Sequence, residues 1–346
     1  MGGFAYDVQH YLDFLLVKEK LMTVEEFNNN LARVKLSERD AKNRPKGFKV
    51  KRNNSKYEGN AGSLRVLSRI LTLVLSEVLE SSQTENYFIK LHEVGEIITA
   101  PSLTTYEIKN VMHDIITDYL DLRMEGIEKL KMPRPCPKHH FLSHYARMYY
   151  NNGPLIGVWG MRMESKHTYH KSVLRTAKNF KSVAKTCAVR HQLAQISYYY
   201  NGLFSRCKYE IPDDSLKVQD IIKVTSNPYL KAFYEAHGPE TTVPQKIKIF
   251  GTCYEVGKLL ILRKECLGKL TVGIVKGILF TEDANFLVTS FEAQQNKFGY
   301  YVSTAFVSHS ETVSYSSLAD YHPLELIGNL TSFSFVLHHF VTNGLG

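Results

Sequence analysis

The chain has 346 residues, of which 44% are hydrophobic, and its formal net charge is +9 at pH 7. A chain of this length can bury one large core or two ordinary ones, and we expect two domains. The positive charge favours polyanionic partners, but many proteins of similar charge bind nothing anionic, so the position of the cations matters more than their total.

The hydrophobic segments and the cysteines indicate an intracellular protein. Residues 1–14 lack the basic start and apolar core of a signal peptide. The most apolar segment, residues 66–82, is interrupted by Arg69 and Glu77 and is shorter than the roughly 20 apolar residues of a membrane helix, so it predicts a buried helix. The five cysteines are widely spaced without a CxxC pair, which argues against a disulfide framework and a zinc ribbon.

Hydrophobic periodicity predicts helices up to about residue 200. Thr23 and Glu26 have the spacing of a capping box, in which each side chain satisfies the backbone N–H group of the other. Residues 35–63 are polar and basic without periodicity, and they predict a loop. The other helices predicted in this part span residues 6–20, 64–80, 84–99 and 104–130.

After residue 210 the sequence changes to short runs rich in β-branched and aromatic residues, separated by Gly, Asn or Asp. Five or six such runs predict a small barrel or sandwich. We therefore predict an α+β protein with a mainly helical region at residues 1–210 and a small all-β domain at residues 211–346. The aromatic residues of this β domain either form its core or dock a peptide or partner chain. Their occurrence at every second position of the strands favours the core. These aromatic residues include Tyr254, Phe291, Tyr300 and Tyr301.

Lysine and arginine recur on one side of the helix that residues 171–190 predict. The apolar positions on its other side are Val173, Ala177, Phe180, Ala184 and Cys187. The cations are Lys171, Arg175, Lys178, Lys181 and Lys185. Such a stripe would neutralise several phosphates of double-stranded DNA, and the alternative is a solvated basic face without a partner.

Glu164 is the one acid in a basic stretch that also contains Arg162 and Lys166. If the predicted helix extends back through residue 162, Glu164 falls within roughly 20° of Lys171. Two interpretations stay open. Glu164 forms an ion pair with Lys171 or Lys166, or it binds a divalent ion at the edge of a groove in which the surrounding cations hold nucleic acid.

Three histidines follow Cys136, and two of them, His140 and His144, would share a helix face. Zinc needs about four ligands in a closed site, and the remaining ligands do not occur at a recognisable spacing. Histidines that are buried and hydrogen-bonded at a helix start are the alternative. The sequence contains no glycine-rich phosphate loop, GxSxG or HExxH, and no cysteine and histidine pair that sequence alone identifies as catalytic.

The order of residues in this part of the chain resembles the C-terminal part of the transposases of CACTA-type (En/Spm-like) DNA transposons and of related transposon-derived animal proteins. The matching positions are His140, His144, Gly153-Pro154, Trp159 and Glu164, and further downstream Lys171, Asn179-Phe180-Lys181, Ala188 and His191-Gln192. The resemblance is clearest over residues 136–192 and extends from near the N-terminus to about residue 200.

The resemblance implies a cut-and-paste transposase with an RNase H-like core, in which three acids hold two Mg²⁺ or Mn²⁺ ions for phosphodiester hydrolysis. Glu164 matches the third acid of that family. The first two are aspartates on strands upstream of the helical region, and this chain has no strand–helix alternation before residue 136 to supply them. In plant members Pro-Phe precedes the acid and Arg follows it, whereas here Arg162-Met163 and Ser165 flank it.

We therefore expect a transposon-derived, nuclear, DNA-associating protein that corresponds to the C-terminal portion of a transposase and does not cleave DNA by itself. A protein-interaction module that acts through the β domain is the second hypothesis. A metal-dependent nuclease that uses Glu164 is the third.

Overall fold

Helices form the N-terminal part of the computed structural model and antiparallel strands form most of its C-terminal part, so the architecture is α+β as predicted. The structure describes residues 2–51, 54–57, 59–80, 84–158, 160–178, 181–200, 208–212, 216–217, 220, 222, 225–238, 241–265, 268–328, 333–337, 339 and 341. For residues 2, 4, 39, 51, 54–56, 161–165, 216–217, 305–309 and 328 it describes the backbone alone.

The helices of the described residues include all those predicted before residue 131, with small differences at their ends. They are α1 (Gly2–Asp13), α2 (Val24–Arg33), α3 (Glu38–Ala41), α4 (Ala61–Val74), α5 (Ser76–Leu79), α6 (Glu85–Ile98), α7 (Met112–Lys129), α8 (Pro137–Leu142), α9 (Tyr145–Asn152), α10 (Met161–Ala177), α11 (Val183–Tyr200) and α12 (Pro228–Glu235). A π-helical turn at Phe14–Lys18 continues α1, and another at Glu107–Val111 leads into α7. No helix within the described ranges is both long and apolar enough to cross a membrane.

The capping box predicted at the start of α2 is confirmed. The backbone N–H of Glu26 donates to Thr23 Oγ1 over 3.1 Å, and the backbone N–H of Thr23 donates to Glu26 Oε2 over 2.9 Å. Thr104 and Glu107 form the same reciprocal pair before α7, at 2.8 and 3.2 Å. Both pairs satisfy backbone donors that the first helical turn leaves without a partner.

The prediction of a loop at residues 35–63 is wrong, because this segment contains α3 and an antiparallel hairpin of β1 (Phe48–Lys51) and β2 (Asn54–Tyr57). The side chain of Asn28 on α2 accepts from the backbone N–H of Phe48 at 2.9 Å and donates to its carbonyl at 3.0 Å. The Phe48 side chain is buried in the helical core. Contacts with residues outside the segment therefore order it. The hydrophobic periodicity of the segment itself does not predict these contacts.

The described residues of the C-terminal part form two antiparallel sheets. Its strands are β3 (Tyr209–Glu210), β4 (Leu216–Lys217), β5 (Thr242–Val243), β6 (Lys246–Ile249), β7 (Thr252–Glu255), β8 (Leu259–Lys264), β9 (Lys269–Phe280), β10 (Ala284–Gln295), β11 (Tyr301–Ser314), β12 (Asp320–Leu324), β13 (Ile327–Gly328) and β14 (Phe333–Phe335). The larger sheet has the order β12-β8-β9-β10-β11-β14-β13, with β5 joining β9 and β4 joining β5. The smaller sheet has the order β3-β6-β7.

Apolar residues cover both faces of the larger sheet. Along β8, Leu259 and Ile261 enter one hydrophobic cluster with Phe333 and Phe335, whereas Leu260 and Leu262 enter another that includes residues of the smaller sheet. Successive side chains of a strand point to opposite faces, so the continuous apolar run of β8 fits a strand buried on both sides. Of the four aromatic residues named above, Tyr254, Phe291 and Tyr301 are buried in these clusters, which is the core arrangement.

The turn between β10 and β11 contacts the helical part. Phe298 belongs to the same core cluster as the helices, and Lys297 Nζ lies 3.0 Å from Glu80 Oε1 and 3.4 Å from Glu85 Oε1. Gly299 has φ +86°, and a Cβ added there would lie 2.6 Å from Cδ2 of the buried His92. This turn therefore requires glycine both for its backbone conformation and for its close approach to α6.

Replacing Gly299 with alanine should lower the free energy of unfolding by about 2–4 kcal/mol, because the new methyl group adds overpacking against His92 to the strain of a positive φ. Gly257 provides a matched control, since its φ is +92° and nothing lies within 4 Å of its added Cβ. Gly257→Ala should lower the free energy of unfolding only by the cost of a positive φ, about 1 kcal/mol. Urea unfolding of the two variants measures the difference, and equal losses would contradict the packing of this turn against α6.

Candidate functional site

The basic residues predicted to share one helix lie on a helical hairpin instead. α10 ends at Ala177, and Lys178 follows in the left-handed conformation with φ +50°, its backbone N–H donating to the Leu174 carbonyl over 3.0 Å. This is the backbone conformation in which helices commonly stop. α11 then starts at Val183, so the predicted single helix over 171–190 and its continuous stripe are wrong.

The two helices of this hairpin contact each other through polar and aromatic side chains. The Tyr169 hydroxyl donates to the Arg190 carbonyl over 3.3 Å, and the His191 ring centroid lies 6.1 Å from the ring centroids of both Tyr169 and His170. Among the described side chains of α10 and α11, Val173 alone is buried. The hairpin therefore exposes most of its surface to solvent.

Positive charge is concentrated on this hairpin. Residues 161–200 contain eight lysine or arginine residues and one acid, Glu164, which gives a net charge of +7 out of +9 for the whole chain. The exposed cations are Lys166, Lys171, Arg175, Lys178, Lys181, Lys185 and Arg190. Five of them lie between residues 171 and 185, at the end of the hairpin where α10 and α11 are joined. We call these five, Lys171, Arg175, Lys178, Lys181 and Lys185, the tip cations.

Glu164 and Arg162 are in the first turns of α10, and their side chains lie outside the described part of the structure. Both interpretations of Glu164, the ion pair and the metal ligand, therefore remain predictions. Trp159, Asn179 and Phe180, which belong to the transposase resemblance, also lie outside the described residues.

His140 and His144 are close together but do not share one helix, because α8 ends at Leu142 and His144 lies in the turn before α9. Their Nε2 atoms are 3.2 Å apart, and both rings are partly or fully exposed. Within the described residues, no third histidine, cysteine or carboxylate comes close enough to complete a metal-binding group with them. They are thus two neighbouring imidazoles at the surface. The residue before them, His139, is the buried and hydrogen-bonded one.

A buried cluster around Asp7 was not predicted from the sequence. Asp7 on α1 is completely buried, and its Oδ1 lies 2.9 Å from Arg123 Nε on α7, while its Oδ2 lies 2.8 Å from His139 Nε2 on α8. The Tyr119 hydroxyl also donates to Oδ2. Burial would raise the pKa of Asp7, but the hydrogen bonds from His139 and Tyr119 and the charge of Arg123 outweigh it and lower that pKa. The carboxylate is therefore ionised and fully partnered.

Cys136 extends this cluster to the surface. Its backbone N–H donates to His139 Nδ1 over 3.0 Å, and its Sγ lies 3.2 Å from the same nitrogen. The hydrogen bond to Asp7 raises the pKa of His139. Burial would raise the pKa of the Cys136 thiol, but backbone hydrogen bonds from Lys138 and His139 and the charge of His139 outweigh it and lower that pKa. The result is a polarised thiol supported by an imidazole and a buried carboxylate.

The chemistry open to this arrangement is that of a reactive thiol, since the thiolate is the nucleophilic form of cysteine. A cavity of about 410 Å³ lies beside Cys136 and is lined also by Met124, His139 and Ser143. The spacing Cys-x-x-His at a helix start is the one sequence signal for the pair. Asp7 could not have been added to it, because 129 positions of sequence separate it from Cys136.

Comparison with protein-family models, with curated proteins and with solved structures finds no match to this chain.

Cys136 should react with iodoacetamide at pH 7 at least about tenfold faster than Cys253, whose pKa burial raises. Peptide mass spectrometry after short exposures measures both rates in one sample. His139→Gln should slow labelling of Cys136 to an ordinary rate and leave Cys253 unchanged. Similar rates at the two cysteines in the parent chain would contradict the polarisation of the thiol.

Asp7→Asn should lower the free energy of unfolding by about 3–5 kcal/mol, because it leaves the buried Arg123 without its counter-charge. The lowered pKa of Asp7 adds stability that is present above its unfolded-state pKa of about 4. This stability is lost as the pH falls through the pKa of Asp7 in the folded protein. The raised pKa of His139 adds stability that is present below its unfolded-state pKa of about 6.5. This stability is lost as the pH rises through the pKa of His139 in the folded protein.

The difference between the parent protein and Asp7→Asn should therefore be largest between about pH 4 and 6.5. Urea titrations at pH 3, 5.5 and 8 measure it. A difference that does not change over this range would contradict the ion pairs of Asp7.

Proposed function

We propose that this protein binds double-stranded DNA through the hairpin of α10 and α11. The observation that carries the proposal is that residues 161–200 hold a net +7 of the chain's +9 on two largely exposed helices. Charge at this density attracts a polyanion because each neutralised phosphate releases condensed counterions from the duplex.

The break at Lys178 changes how such a surface meets DNA. Lys171 and Arg175 are one helical turn apart on α10, Lys178 and Lys181 lie at the turn, and Lys185 lies in the first turn of α11. The five tip cations therefore gather at one end of the hairpin and do not form a line along a single helix. A compact group of this kind contacts phosphates over a short length of backbone and supplies affinity without reading the base sequence.

The ordered match of His140, His144, Gly153-Pro154 and Glu164 supports a transposon-derived origin for this DNA-associating protein. A nuclear location follows from the same proposal. Cleavage is not part of it, because Glu164 is the single position of this chain to which a catalytic acid is assigned. Docking of a partner through the β domain receives no support from Tyr254, Phe291 and Tyr301, since their side chains are used in its core.

The triple variant Lys171→Glu, Arg175→Glu and Lys185→Glu tests the proposal. It avoids Lys178, whose left-handed backbone ends α10. Fluorescence anisotropy on a 25-base-pair duplex at several salt concentrations between 50 and 200 mM should show weaker binding. The slope of log affinity against log salt should become shallower by about 2.7, or 0.9 for each lost phosphate contact.

A matched control changes the net charge equally at exposed lysines elsewhere, with Lys46, Lys231 and Lys269 replaced by glutamate. This control should keep most of the salt slope. An unchanged slope in the hairpin variant, or an equal reduction in the control, would show that the hairpin is not the DNA-binding surface.

A further inference from the structure

Two histidines and an aspartate converge in the C-terminal part of the protein, away from the hairpin. Asp320 and His322 alternate on β12 and thus point to the same side of the strand, while His339 follows β14. His322 Nδ1 lies 2.9 Å from Asp320 Oδ1, and His339 Nε2 lies 3.4 Å from Asp320 Oδ2. The three ligand atoms all lie within 4.8 Å of one another.

The surrounding fold fixes the positions of these three side chains. Asp320 pairs with Ile261 of β8, and the buried Tyr254 donates its hydroxyl to the Tyr321 carbonyl over 2.5 Å. Leu337 and Val341, on either side of His339, are buried in the same cluster as Leu324 at the other end of β12. Ligands held in this way lose little conformational freedom when they bind an ion.

The carboxylate of Asp320 has spare capacity as a ligand. Its side chain is 7% exposed, and within the described residues its Oδ2 makes no hydrogen bond of ordinary geometry, although His339 is near. A buried carboxylate oxygen without a well-aligned donor is costly unless something else compensates its charge.

We propose that Asp320, His322 and His339 bind a divalent transition metal ion of the zinc class. Two imidazole nitrogens and one carboxylate oxygen form a donor set that zinc commonly takes with three protein ligands. Bond lengths of about 2.0–2.1 Å place tetrahedral donors about 3.3 Å apart, and the 3.4 Å between His339 Nε2 and Asp320 Oδ2 is close to this spacing. Since the three ligand atoms lie within 4.8 Å of one another, small side-chain rotations bring all three to an ion. The ion neutralises the Asp320 carboxylate and links the chain after β14 to the sheet edge at β12.

A fourth position on the ion is left for water or a small ligand. His322 is the most exposed of the three ligands, and it lines a polar cavity of about 570 Å³ together with Lys258, Glu255 and Glu325. An ion bound beside His322 is therefore reached from solvent through this cavity.

His140 and His144 provide the contrast within the same chain. They are two close imidazoles at the surface without a third ligand among the described residues, and a pair of that kind holds zinc far less tightly than three converging ligands. Zinc binding at Asp320, His322 and His339 therefore has to be tested against binding at this second pair of imidazoles.

The experiment uses the full chain after treatment with a chelator. Calorimetric titration with Zn²⁺ should show one site per chain, and Co²⁺ should give the visible absorption of a tetrahedral site with nitrogen and oxygen ligands. His339→Gln and Asp320→Asn should each lower the affinity at least about tenfold, whereas the double variant His140→Gln and His144→Gln should keep it. Zn²⁺ should raise the Tm of the parent chain and of the double variant, but not that of His339→Gln.

His322→Gln, at the most exposed ligand, repeats the test in case the other variants fail to fold, and circular dichroism establishes whether they do. Absence of Zn²⁺ binding by the parent chain would overturn the proposal. So would binding that persists in folded variants of Asp320, His322 and His339, or that disappears only when His140 and His144 are replaced. None of these outcomes depends on DNA binding.

Discussion

The buried carboxylate of Asp7 is the interaction on which the helical part depends. It lies on α1 near the start of the chain and accepts from Arg123 on α7 and His139 on α8, so one ionised group joins three helices that are distant in sequence. Taking a carboxylate and a guanidinium out of water costs several kcal/mol for each ion, and mutual attraction offsets that cost only with good geometry. Every donor around Asp7 must therefore stay in place for the helices to pack in this way.

The same network connects the interior to the surface. His139 is held through Nε2 by Asp7, which leaves Nδ1 directed at Cys136. When the His139 ring is neutral, Nδ1 carries no proton, because it accepts from the backbone N–H of Cys136. The contacts of His139 with Cys136 and Asp7 therefore set its tautomer. The pKa of the Cys136 thiol is thus linked through His139 to the buried carboxylate of Asp7. A change at Asp7 therefore alters the protonation of Cys136.

The features that could be predicted from the sequence are those with local causes. The helices follow from apolar spacing, and the start of α2 follows from Thr23 and Glu26. The end of α10 at Lys178 could not be predicted, because neither glycine nor proline marks it and a lysine takes the left-handed conformation. The hairpin of β1 and β2 depends on Asn28, about 20 residues earlier, and the ligands around Asp320 depend on a histidine 19 residues later.

The docking of the β10–β11 turn into the helical part has a consequence for how the chain folds. Phe298 completes the helical core, and Tyr300, Ile327 and Val336 pack against it from the C-terminal part. A boundary in the sequence near residue 210 thus cuts through a shared core, and we expect the two parts to unfold together. Residues 211–346 separated from the rest would expose the apolar surface that normally faces the helices. Proteins captured by such a fragment would bind nonspecifically to this exposed apolar surface, and they would not identify a partner of the intact chain.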